Sequence, residues 1–150
     1  MGLNGFKYIQ HLGDILNEVS DSIQSNTSQW NFKIKDVFFI CIADSTHNRM
    51  RIISPISDSN ILDEELKESA LIANFHTALD VKYAISDDVL WAAFIHPLKE
   101  LTKNQVLDAI SQTYYANINF GTTFSSTSLV FPGRKPKKKA TKKHQSIKKI

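Results

Sequence analysis

Residues 30–53, Trp30-Asn-Phe-Lys-Ile-Lys-Asp-Val-Phe-Phe-Ile-Cys-Ile-Ala-Asp-Ser-Thr-His-Asn-Arg-Met-Arg-Ile-Ile53, decide the fold class. Trp30, Phe32 and Ile34 alternate with Asn31, Lys33 and Lys35, which is the two-residue period of a strand with one buried face. Val37 to Ile42 is then continuously apolar and rich in β-formers, the composition of a strand covered on both faces. Asp44-Ser-Thr-His-Asn48 has turn chemistry. Arg49 to Ile53 reads as a returning strand, and Pro55, which has no amide hydrogen to donate, ends it. The two strands form a predicted hairpin. Arg49 and Arg51 share one face of its second strand, because side chains repeat every two residues. A solvated outer face is the plain reading of this pair, and a small basic patch that contacts another protein is the functional one.

On the N-terminal side, Phe6, Ile9, Leu12, Ile15, Leu16, Val19 and Ile23 recur at steps of three or four, predicting an amphipathic helix over 6–24. Ser25 to Gln29 is polar and reads as a loop. On the C-terminal side, Ser57 to Asn60 breaks the pattern. Asn60 is a candidate helix cap, and Asp63, Glu64 and Glu65 fall in a first turn, where the helix dipole favours acids. Leu62, Leu66, Ala70, Ala73 and Thr77 form one stripe of a helix over 61–78, and Leu71, Phe75 and Leu79 widen it. Val81, Tyr83 and Ile85 alternate with Lys82, Ala84 and Ser86. Asp87-Asp88 makes a short turn, and Val89 to Ile95 completes a second antiparallel hairpin closed by Pro97.

Thr102-Lys-Asn-Gln105 is a capping-box pattern. Val106, Leu107, Ile110, Thr113, Tyr114 and Asn117 continue at helical spacing, and Gly121 stops the helix. Ser125 to Ser128 reads as a polar linker, Leu129-Val-Phe131 as a last docked segment, and Pro132-Gly133 as a boundary. The order α-β-β-α-β-β-α implies an α+β domain over residues 1–131, with an antiparallel sheet packed against helices in two layers.

The order of elements, and some of the residues, resemble the type III secretion chaperone-like fold and its relatives, the YbjN-type regulators. The resemblance spans residues 5–120 and is strongest over 70–120. There an amphipathic helix leads into Val81-Lys-Tyr-Ala-Ile-Ser-Asp-Asp88, a strand ends at Pro97-Leu98, and Leu101-Thr102 opens a final helix. Arg49-Met-Arg-Ile-Ile-Ser-Pro55 also looks like a strand of this group. The resemblance implies a small, acidic, homodimeric cytoplasmic domain that binds other polypeptides through apolar patches, as chaperone, adaptor or regulator, and performs no chemistry.

Charge divides the chain at the same boundary. Residues 134–150, RKPKKKATKKHQSIKKI, hold nine of the eighteen basic residues and none of the fifteen acids. Residues 1–133 therefore carry a formal −6 and the tail +9, although the whole chain is +3. The family pattern does not include this tail, so residues 132–150 read as a separate, disordered basic segment. Arg134, Lys135, Lys137, Lys138, Lys139, Lys142, Lys143, Lys148 and Lys149 are candidates for nonspecific binding to nucleic-acid phosphates or an anionic surface, with a steep salt dependence. No aromatic residue interrupts them, so base stacking on the arm is not expected. A solvated, solubilising end is the plain alternative.

Chemistry is sparse. Cys41 is the single cysteine, which excludes an internal disulfide and fits a small buried hydrophobe in a reducing compartment. His11, His47, His76, His96 and His144 form no HxH or HExxH spacing, and no P-loop, GxSxG or GxGxxG occurs. His76 on a helix and His96 at a strand end are a pair that folding can bring together; polar surface or satisfied core positions are the simpler account. No catalytic residue, metal or cofactor is called for. Asp63-Glu-Glu65 and Asp87-Asp88 are explained by helix electrostatics and turn chemistry. The N-terminus has no secretory h-region and no apolar run reaches about 18 residues, so a cytoplasmic protein without a transmembrane segment is expected.

Overall fold

Hydrogen bonding divides the stretch around Trp30 into two strands where its composition suggested one. In the computed structural model, which describes residues 3–128, β2 (Gln29–Ile34) turns through Lys35 and Asp36 into β3 (Val37–Asp44). Both turn residues have positive φ, 50° and 67°, as a two-residue hairpin with matching twist requires. The Asp44–Asn48 turn then leads into β4 (Arg49–Asp58). Pro55 does not end β4. The strand passes through it with a register shift between Pro55 and Ser57, a bulge that accommodates the missing donor.

The first helix, α1 (Leu3–Val19), stops earlier than its apolar spacing suggests. Ser22–Ser25 forms β1, antiparallel to β2, with Ile23 opposite Phe32. Ile23 thus reaches the core from a strand. An Asp58-capped 3-10 turn at Ser59–Ile61 follows β4. Asp63, not Asn60, caps α2 (Glu64–His76) by accepting from the Leu66 amide at 2.8 Å. Then β5 (Lys82–Ser86) and β6 (Val89–His96) form the second hairpin. The capping box of Thr102 and Gln105 opens α3 (Lys103–Ile118) as its pattern implied. Gly121, at φ 86°, turns the chain after it.

All six strands are antiparallel and lie in the order β1-β2-β3-β4-β6-β5. The fold is the expected α+β arrangement of an antiparallel sheet with helices, enlarged by β1 and by the division of β2 from β3. Phe32, Phe39, Cys41, Met50, Ile52, Leu90, Ala92 and Phe94 alternate along the strands and bury their side chains. Leu12, Ile15 and Leu16 of α1, Leu66 and Ala73 of α2, and Val106 and Ala109 of α3 complete the same core. Gly13 lets Trp30 lie against α1, where an added Cβ would come within 3.2 Å of the indole. Ser125–Ser128 is no free linker: Ser125 and Ser126 are buried. The Ser126 amide donates to the Thr77 carbonyl at 3.2 Å, and Asn119 Nδ2 donates to the carbonyls of Ser125 and Thr127. The Leu129–Phe131 segment and the basic tail lie outside the described residues.

Candidate functional site

The surface is unusual in where it leaves apolar side chains. The continuous run Val37–Ile42 predicts cover on both faces of its strand, but only one face meets the helices. Phe39, Cys41 and Ala43 are buried, whereas Phe38 is 44% exposed and Ile40 and Ile42 are half-buried on the opposite face. The register extends this outer band across the sheet. Ile40 stands opposite Ile53, which stands opposite Ala93; Ile42 stands opposite Arg51, which stands opposite Ile95. Ile95 is 55% exposed. Arg49 and Arg51 project from the same face, both exposed, with Arg49 in register with Asp44. Arg51 thus sits within the apolar band, between Ile42 and Ile95, and Arg49 stands at its end beside Asp44; Arg is enriched at protein interfaces.

A second apolar surface lies on α2. Its Leu62–Leu66–Ala70–Ala73 stripe is buried as its spacing implied. The residues that appeared to widen that stripe are exposed instead: Leu71 at 69%, Phe75 at 86% and Leu79 at 46%, joined by Ile72 at 51%. The cause is position. This helix sits over β5 at the edge of the sheet, so only a narrow side of it meets the core. Beneath it, Leu62, Leu66, Leu71, Tyr83, Ile85 and Phe120 line an apolar groove of about 250 Å³. On α1, Phe6 is a further exposed aromatic at 65%. Strands β1 and β5 are the sheet's two edges.

Polar side chains line one cleft of about 390 Å³, with Ser57, Asp58, Asp87 and Asp88, and another of about 500 Å³, lined in part by Asp80, Lys82, His96, Gln105 and Asp108. The groups of the larger cleft are engaged structurally. Gln112 donates from Nε2 to Asp80 and Asp108, at 3.0 and 2.8 Å, and accepts from the Asp80 amide. Lys82 Nζ donates to the Leu79 carbonyl, and His96 Nδ1 lies 2.8 Å from the Pro97 carbonyl. His76 is not in this cleft; its ring meets Phe75 edge-on. Among the described residues, no three His, Cys, Asp or Glu side chains are placed to hold a metal. Burial pushes the Cys41 thiol up, opposite to what a reactive nucleophile needs. The hydrogen bonds from His47 hold the exposed Asp44 carboxyl below its ordinary value. Among the described residues, no helix is long and apolar enough to cross a membrane.

No protein-family model matches the chain, and no curated protein matches it. Solved structures do match its backbone. A chain of the HopA1–SchA chaperone–effector complex superimposes with a TM-score of 0.64 at 11% identity, over 80% of this chain and 97% of that one. A chain from the Yersinia pestis type III secretion chaperone SycH, in complex with a stable fragment of YscM2, gives 0.57 at 11% identity, over 75% and 98%. A chain of the ExsC–ExsE complex gives 0.54 at 13% identity, over 79% and 90%. The antiparallel sheet with its helical layer, and the solved structures it superimposes on, show that this chain has the type III secretion chaperone-like fold.

Proposed function

We propose that this protein is a non-enzymatic chaperone or adaptor that holds a segment of another polypeptide. The observation that carries the reading is the apolar band on the uncovered sheet face, with Phe38 and Ile95 solvent-exposed, Arg51 within it and Arg49 at its end. A monomer rarely leaves such a contiguous band open unless something docks there. The solved chaperone complexes with the same fold support the same conclusion, since their described role is the binding of other proteins. The wider reading is of a cytoplasmic protein whose partners are polypeptides, a second copy of itself among them. The exposed band is mainly apolar, with Lys33 over the Phe38 ring and Arg49 and Arg51 as cations on it, a pattern that fits a polypeptide better than a run of phosphates.

The test is affinity capture with the full chain and with Phe38→Asp and Ile95→Asp variants. A charge on this face removes apolar contact without touching the core. The expected result is that wild type retains a defined polypeptide that both variants lose while their melting temperatures stay near wild type. If the variants retain the same polypeptide, the sheet face is not the docking site. Unchanged capture after Arg49→Ala and Arg51→Ala would remove the arginines from the proposed patch.

A further inference from the structure

We infer that the uncovered sheet face takes an acidic and apolar segment of another polypeptide, one that shows large apolar side chains and carboxylates on the same side. The inference rests on the docking role proposed above and adds the chemistry of the occupant. Strand pairing fixes which charges share this face, because residues directly opposite each other point to the same side. Lys33 stands opposite Phe38, and Arg51 lies between Ile42 and Ile95. Lys82 stands opposite Ala93, whose other neighbour is Ile53. These three cations and Arg49 are all exposed. Among the described residues, the acids at outward positions of the strands are Asp44 and Asp58, both at strand ends. Each is engaged locally, Asp44 with His47 at 2.7 Å and Asp58 with the Asn60 amide at 3.0 Å. Four cations against two acids leave the face formally +2, on a body of residues 1–133 that is −6. The other thirteen acids lie in helices, turns and loops.

The placement of these cations makes them selective. Lys33 Nζ sits 5.7 Å from the centre of the exposed Phe38 ring, and Arg51 has an isoleucine on each side. A ligand that covers those isoleucines also strips water from the guanidinium, and a desolvated charge without a partner is costly. A carboxylate at that point accepts two parallel hydrogen bonds from Arg51. A neutral amide satisfies it less well, and an ammonium repels it. Lys82 Nζ already donates to the Leu79 carbonyl, so Lys33 and Arg51 carry most of the selection. The same sign argues against two nearer occupants. Residues 134–150 of the chain are +9 and are repelled. A second copy that met this face with its own would set Lys33 and Arg51 against the same cations, since a two-fold contact uses one patch twice. A bare polyanion meets the charges but leaves the isoleucines uncovered.

Fluorescence anisotropy on the full chain tests this with labelled synthetic peptides of equal length. In three of them isoleucine or phenylalanine alternates with Glu, Gln or Lys at every second position, with serine between. An extended peptide then shows both kinds on one side. The fourth is oligoglutamate. The basic tail is present throughout, so any binding it adds is common to all variants. The expected order of affinity is the Glu peptide, then Gln, then Lys. Arg51→Glu and Lys33→Glu should each weaken the Glu peptide by roughly threefold to tenfold, because an attraction is lost and a repulsion gained. The same variants should strengthen the Lys peptide and keep the wild-type melting temperature. Oligoglutamate, attracted by the tail, should change little. Equal affinity for the Glu and Gln peptides, both lost in Phe38→Ser and Ile95→Ser, would overturn the inference and leave the docking face standing. Binding that neither these variants nor Arg51→Glu alters would overturn both. Oligoglutamate that weakens in Arg51→Glu as much as the Glu peptide would also overturn it, because a polyanion such as nucleic acid would then suffice.

Discussion

One asparagine ties the edge of the sheet to its helix. Asn74 Nδ2 donates to the Tyr83 carbonyl at 3.1 Å, and its Oδ1 accepts from the Tyr83 amide at 2.7 Å. A side chain thus supplies what a neighbouring strand would supply to β5. Asn74→Ala leaves both backbone groups of a buried residue without partners, and a loss of about 1–3 kcal/mol is expected in urea unfolding. This role has no sequence signature, since it depends on how α2 comes to lie over β5. The Thr102–Gln105 box, in contrast, was legible because both partners lie within one turn of the chain.

Two buried protons set the alkaline limit. Burial pushes both the Cys41 thiol and the Tyr83 hydroxyl up from ordinary values of 9.0 and 10.0. Tyr83 also donates to the Ala116 carbonyl at 2.7 Å, a bond that only the neutral phenol makes. Each group keeps its proton more tightly when folded, so its contribution is complete below the unfolded value and shrinks as pH rises above it. Stability should fall by up to about 1.4 kcal/mol per pH unit for each group. Urea titrations from pH 8 to 11 measure this. Cys41→Ala should flatten the decline that begins near 9, and Tyr83→Phe the one that begins near 10.

At the scale of elements, the two hairpin turns make a natural comparison. Lys35-Asp36 and Asp87-Asp88 adopt the same left-handed pair of conformations, with φ of 50°, 67°, 51° and 63°. Asp87-Asp88 was readable as a turn because short polar side chains tolerate this region. Lys35-Asp36 was not: a lysine gives no turn signal, and the apolar residues beside it merged two strands into one. Asp36→Gly relieves the left-handed strain and should stabilise the protein by about 0.5–1 kcal/mol, read as a higher urea midpoint at unchanged slope. Helix α2 shows a second limit of local reading. Spacing placed Leu71 and Phe75 on its helical surface correctly, but spacing cannot tell how wide a neighbour the helix will meet.

At the scale of the whole molecule, the described residues share one hydrophobic core, and the outer band of the sheet is left open beside it. Composition could not say which face of Val37–Ile42 would be left uncovered, because that depends on all three helices packing on one side. The tail after Gly133 has almost no apolar area to contribute, which sets an expectation for its removal. Ending the chain after Gly133 should cost less than about 1 kcal/mol, and so shift the melting temperature by only a few degrees. The formal charge changes from +3 to −6. Scanning calorimetry and ion-exchange retention check the two outcomes separately, and a large fall in melting temperature would show that the arm is part of the fold.

The junction of β4 with β6 has a consequence for how the protein is made. Every other strand pair joins neighbours in the chain, but here the partners are 31 to 46 residues apart, from Asp58 with Val89 to Met50 with His96. Closing that separation costs entropy before any contact rewards it, so this pairing is expected to limit the folding rate. During synthesis at about 5–20 residues per second, the first four strands wait a few seconds with one long edge unpaired. Substitutions that slow the arrival or docking of β6 should therefore lower soluble yield from cells, even where the finished protein is as stable as before.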